Sequence, residues 1–236
     1  MASTIQLQRT INLAQQFQRL APLTFTTNTA NDPAFSNADW VMQTILAPPF
    51  AWRWNRIGAS PASPTFTTIV GTPDYKVNLP QFGWIEKAVA YDPNNGYAAF
   101  ELQVELIKGQ ETLSNQPARI SAQYDDDSGN ITFRIFPAPD SVYNIVVEYQ
   151  KSASLFTSVT QTWAPIPDYL SYLYNEGFIA KAFEYTNDPR FGSAMQLFLT
   201  DLAEANVGLD RTQKNIWLAD RLNSLRQNLN VQQGRG

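Results

Sequence analysis

The sequence predicts an α+β chain: a helical bundle built from both chain ends, an inserted antiparallel β-sandwich or barrel-like domain, and a C-terminal docking arm. Apolar residues recur at helical spacing near both ends, whereas the middle consists of short aromatic and β-branched runs. Pro, Gly and Asn punctuate those runs, and no crossover helix lies between them, which favours antiparallel pairing over a parallel sheet. The sign of the charge then changes near residue 210. The expected divisions are N-terminal helices over 1–49, the β-domain over 50–164, a helical hairpin completing the helical domain over 165–209, and the arm over 210–236.

The first helix is expected over 4–20, with Thr4 as N-cap, Leu13, Phe17 and Leu20 as its stripe and Pro22 as its stop. A polar connector over 23–35 precedes a second helix from Ser36. There Asp39 mimics a capping box, and Pro48-Pro49 enforces the end. Strands are expected at 50–57, 65–69, 75–79, 84–91, 98–104, 119–124, 130–136 and 144–150. In the seventh, Ile131, Phe133 and Ile135 share one face and Thr132, Arg134 and Phe136 the other. Pro165-Ile166-Pro167-Asp168 opens the hairpin's first helix, on which Leu170, Leu173, Gly177 and Ala180 align, the small residues permitting close packing. Asn187-Asp188-Pro189 separates it from a helix striped by Phe191, Met195, Phe198, Leu202 and Ala205, with Gly208 as the terminating residue.

Composition removes whole classes of chemistry. The 236 residues include no His and no Cys, which excludes Ser-His-Asp and Cys-His catalysis, His or Cys zinc sites, haem held by His or Cys, Cys-ligated clusters and disulfides. Charged residues make up only 16%, below the roughly 25% usual for soluble domains, which points to a surface used for protein contact. A net charge of −4 argues against general nucleic-acid binding. The absence of a long apolar run or a basic N-terminal leader predicts a soluble, unsecreted product with no membrane partner.

The remaining polar clusters have simpler explanations than catalysis. Asp125-Asp126-Asp127-Ser128-Gly129-Asn130 resembles a calcium loop but fails its register: Gly129 falls at position five and Phe136 at position twelve, so a hairpin turn is expected. Glu101 and Glu105 on one strand would stand about 13 Å apart, too far for a glycosidase pair. Trp52, Trp54, Trp84 and Trp163 are expected to pack rather than to form a sugar platform. No P-loop, GxGxxG, GxSxG or HExxH pattern occurs. The expectation is therefore a non-enzyme without catalytic residues, cofactor or metal.

The C-terminal segment carries Leu218, Leu222, Leu225 and Leu229 at coiled-coil spacing, with Trp217 beside them. Arg211, Lys214, Arg221, Arg226 and Arg235 against Asp210 and Asp220 make it formally +3, leaving −7 for the rest of the chain. Two readings remain open: a further helix of the chain's own core, or an arm docking on another protein.

The order of these features, with Trp52-Arg53-Trp54, Gly71-Thr72-Pro73-Asp74-Tyr75, Phe136-Pro137-Ala138-Pro139 and Ile166-Pro167-Asp168-Tyr169-Leu170, resembles head-to-tail adaptor proteins of tailed bacteriophages. The resemblance is to the tail tubular protein A kind of short-tailed phages. It implies a structural virion protein of the neck, assembled in the host cytoplasm as a dodecameric homo-oligomeric ring. Such a ring binds the portal protein on one side and tail, nozzle or other neck proteins on the other. DNA passes through its lumen without sequence-specific binding. By position, the portal-binding arm would comprise Arg211, Lys214, Trp217, Leu218, Arg221, Leu222, Leu225, Arg226 and Leu229. The acidic body would discourage DNA from sticking, although ordinary solubility explains it equally well. The alternative function is a virion glycan- or receptor-binding protein using the aromatic β-domain.

Overall fold

A computed structural model describes residues 2–18, 33–96, 98–108, 113–125 and 129–233. Leu20, Pro22, the connector before residue 33, the turn residues 126–128 and the last residues from Gly234, Arg235 included, lie outside the described residues. The chain divides into two compact units, Asn55–Ser152 and the remainder, Met1–Trp54 with Ala153–Gly236.

The larger unit contains α1 (Leu7–Gln18), α2 (Pro33–Leu46), a 3-10 turn at Asp168–Leu170, α3 (Ser171–Tyr185), α4 (Phe191–Ala205) and α5 (Arg211–Gln233). Helix α3 is the hub: α1, α2 and α4 each pack on it, and α5 packs on α4. At the meeting of α2, α3 and α4 sits buried Gly177, where a Cβ would stand only 2.9 Å from Phe198 and 3.0 Å from Val41. Its core includes Ile11, Met42, Ile45, Trp163, Tyr174, Phe178 and Phe198, none more than 1% exposed. Each such Ile, Met or Phe side chain contributes about 1.5–3 kcal/mol through burial. Trp163 stacks on Tyr174 at 4.5 Å and donates its indole N–H to Thr10 Oγ1 at 3.0 Å.

The other unit holds β1 (Arg56–Ile57), β2 (Phe66–Thr67), β3 (Asp74–Asn78), β4 (Phe82–Asp92), β5 (Ala98–Val104), β6 (Ser114–Asn115), β7 (Arg119–Asp125), β8 (Asn130–Phe136), β9 (Ala138–Pro139) and β10 (Asn144–Lys151). The main sheet runs β1-β10-β4-β5-β7-β8-β3, and β2 also pairs with β10. It curls, so that Phe66 of β2 stacks on Tyr75 of β3 at 4.9 Å and on Phe133 of β8 at 5.7 Å. Ile131, Phe133 and Ile135 are buried while their neighbours are half-exposed.

The predicted fold class is overturned. The molecule is mixed α+β, with five helices and a curled sheet among the described residues. It does not form a helical bundle from both chain ends around an antiparallel sandwich, and α5 is packed rather than free. The sheet is not purely antiparallel: β5 pairs β7 in parallel through Gln103↔Arg119 and Val104↔Ile120, and β6 pairs β9 in parallel. The connection over 105–118 meets the dozen or more residues that a parallel pair needs to return in the same direction.

Four local expectations also change. Thr4 does not cap α1, which starts at Leu7; residues 3–5 lie outside the helix, and Asp168 accepts from Ser3 Oγ, Thr4 N and Thr4 Oγ1 at 2.7, 3.0 and 2.9 Å. The buried stripe of α1 is Leu7, Ile11 and Ala14, leaving Phe17 exposed. Asp39 accepts the Phe156 amide at 2.7 Å, and α2 opens with Pro33 at its first position. Helix α4 ends at Asn206, whose Oδ1 accepts from Gly208 N at 3.0 Å and whose Nδ2 donates to Ala51 O at 3.1 Å, so Asn206 takes the role expected of Gly208.

Candidate functional site

The most developed surface feature of the larger unit lies beneath α5. The helix starts from a reciprocal capping box: Gln213 N donates to Asp210 Oδ1 at 2.8 Å and Asp210 N donates to Gln213 Oε1 at 3.1 Å. Trp217, Leu218, Leu222 and Leu225 pack against the core of their own unit. Trp217 meets Phe50 edge-to-face at 4.7 Å, and Phe50 continues into Trp52 and the Trp52–Trp54 stack. The Trp52 indole donates to Ile45 O at 2.7 Å, so the aromatic ladder is fixed to α2.

Between α2, α3, α4 and α5 this arrangement leaves an open cleft of about 360 Å³, floored by Trp40, Phe50, Met195, Leu199 and Trp217. Its rim is cationic on balance. Lys181 lies 4.8 Å from the Trp40 ring centroid and pairs with Glu184, while Arg221 lies 5.8 Å from that of Trp217. An apolar aromatic floor beneath two cations suits an aromatic side chain accompanied by a carboxylate.

Of the nine residues expected to form the arm, all lie on α5, and four of its apolar residues face the chain's own core. Lys214 Nζ reaches Glu204 O at 3.4 Å, where a cation suits the end of α4. Arg211 and Arg221 are exposed. The side chains of Arg226 and Leu229 lie outside the described residues. The other face of α5 presents Ile216, 66% exposed.

A second arrangement, not anticipated from sequence, joins α3 and α4. The carboxyl of Glu176 is pushed up to about 7, chiefly by burial and then by the charge and hydrogen bonding of Asp201. Its Oε2 atom is buried without a hydrogen-bond partner. Tyr172 is also raised, by burial first and then by Asp201, Glu176 and Glu204. A carboxylate one position before the buried Gly177 was the available sequence signal.

Elsewhere the suspected chemistry resolves into structure. Asp168, lowered by its hydrogen bonds from Ser3 and Thr4, clamps the N-terminal residues. Glu105 pairs with Arg119 at 2.8 Å, and Glu101 is exposed. Trp163 and Trp52 are buried; Trp54 and Trp84 are half-buried. Gly129 adopts φ +77°, and residues 126–128 of the acidic cluster lie outside the described residues. Among the described residues no group of three His, Cys, Asp or Glu side chains could hold a metal ion, and no helix is long and apolar enough to cross a membrane. No family model matches the chain, and no curated protein matches it in sequence.

Proposed function

We propose that this chain is a structural adaptor of a phage neck: copies form a ring between the portal and the tail, and DNA passes through without being read. The observation that carries the proposal is α5. It is capped by its own box and seated by Trp217 and the leucine seam on its own unit, so the face bearing Ile216 is held outward as a preformed contact surface. The order of sequence features that resembles phage adaptors supports the same reading, as does the low charge density.

In this scheme α5 docks as a helix presented by the body, and little ordering entropy is lost on contact with the portal. The net negative charge of the remaining chain disfavours adhesion of the phosphate backbone in the lumen. The deciding experiment mixes the purified chain with the portal assembly of the same virion and images the product by electron cryo-microscopy. A ring stacked on the portal, lost on Ile216→Asp, is expected. Saturable binding to a host polysaccharide with no ring on the portal would replace this proposal by the receptor-binding alternative.

A further inference from the structure

Two features of the larger unit are complementary and face in different directions. On α3, Tyr172 and Lys181 are nine residues apart, which at 100° per residue places them on roughly opposite sides of the helix. On α4, Leu199 lines the cleft whereas Asp201 lies roughly 160° around the helix. The cleft side has an aromatic floor, the cation Arg221 and Lys181 paired with Glu184. The opposite side carries Tyr169 and Tyr172, 71% and 41% exposed, with Glu176, Asp201 and Glu204 around Tyr172.

The acids stand where local physics disfavours them. Asp201 and Glu204 occupy the last turns of α4, next to the negative end of its dipole, and no basic side chain occupies that last turn. Lys214 approaches the Glu204 carbonyl. Among the described residues, no ion pair joins Asp201, Glu204 or Glu176 to a cation. Exposed tyrosines beside the Glu176–Asp201 carboxyl pair and Glu204 on one side, and an aromatic cleft rimmed by Arg221 and the Lys181–Glu184 pair on the other, form a knob and a hole of matching chemistry. They cannot meet within one copy.

We infer that copies associate head to tail, the Tyr169–Tyr172 knob with Asp201 and Glu204 of one copy seating in the cleft beneath α5 of the next, against Lys181 and Arg221. The inference rests on the ring assembly proposed above and assigns its subunit contact. Tyrosine supplies a large rigid anchor, and the Arg221 guanidinium can both stack on the ring and pair with a carboxylate. A contact between two different faces is heterologous, which builds rings or filaments rather than closed dimers.

The test combines charge reversal with cross-linking in a chain that has no cysteine of its own. Asp201→Lys with Glu204→Lys, and separately Arg221→Glu, are expected to weaken association at least about tenfold, measured by analytical ultracentrifugation and by ring occupancy on the portal. Combining all three substitutions restores association. Circular dichroism checks that each variant is folded; were a reversal variant unfolded, Tyr172→Ala measured the same way replaces it. Tyr172→Cys with Arg221→Cys in one chain gives an oxidised ladder of multimers, while either cysteine alone gives none. A ring on the portal that tolerates the reversals and yields no ladder overturns the face assignment and leaves the adaptor proposal standing. A chain that never self-associates, with or without the portal, overturns both. Loss of portal binding with self-association intact assigns the cleft to the portal and refutes the inference.

Discussion

Replacing Gly177 by Ala tests the packing that places α2, α3 and α4 around the cleft. The added methyl would lie 2.9 Å and 3.1 Å from Phe198 ring atoms and 3.0 Å from a Val41 methyl, all buried. In an open helix the exchange would stabilise by about 0.5–1 kcal/mol, because alanine loses less backbone entropy than glycine. Here three contacts fall below ordinary carbon separation, and neither Phe198 nor Val41 has exposed surface into which it can move. Overpacking of this kind costs about 1–3 kcal/mol, so the expected net is a loss of about 1 kcal/mol. Urea unfolding followed by tryptophan fluorescence measures it. Adding Phe198→Leu should recover part of the loss, since a smaller side chain at 198 relieves two of the contacts, and the double-mutant cycle isolates that coupling. A Gly177→Ala protein as stable as the parent or more so would show that the three helices do not meet at this residue.

Other perturbations have equally definite outcomes. Glu176→Gln should stabilise at pH 8 and leave stability at pH 4 unchanged: the native carboxyl is raised from its ordinary 4.5 to about 7, so the stability of the parent is full below about 4.5 and falls as pH rises through about 7. Thermal melts at the two pH values read this difference. Asp168→Asn should loosen residues 3–5, seen as faster amide exchange at Thr4. In the parent the clamp is present above the ordinary carboxylate pKa and is lost as pH falls through the lowered native value. Asp210→Ala removes the capping box and should cost about 0.5–2 kcal/mol, read as reduced helicity and a lower midpoint. Trp163→Ala should cost about 3–5 kcal/mol and expose Tyr174, to be measured by chemical denaturation.

Strands were legible where the alternation was strong, as at Ile131, Phe133 and Ile135, because a pleated strand with one buried face writes its period directly into the residue types. The parallel β5–β7 pair was not, since pairing direction depends on the path of the intervening chain and not on the strand's own composition. The α1 stripe was misplaced because Leu13 and Phe17 match a helical period as well as Leu7 and Ile11 do. Only the partner surface of α3 and the Asp168 clamp decide which pattern is buried. On α5 the seam was legible but its neighbour was not: a leucine stripe specifies an apolar partner without naming it, and α4 supplies it, while Phe50, far away in sequence, meets Trp217. The cleft is not written in any one segment, because Trp40, Lys181 and Arg221 come from three separate helices.

The ends of the β-unit have a consequence for how this chain can be altered. Asn55 Nδ2 donates to Lys151 O at 2.9 Å, and Lys151 N donates to Asn55 O at 3.2 Å, so the two strands of chain entering and leaving the unit are laced together at its base. A segment whose entry and exit are adjacent behaves as a cassette. Its β10–β4 seam, its aromatic interior and its closure are internal matters, and the same two attachment points can carry a larger, smaller or unrelated insert.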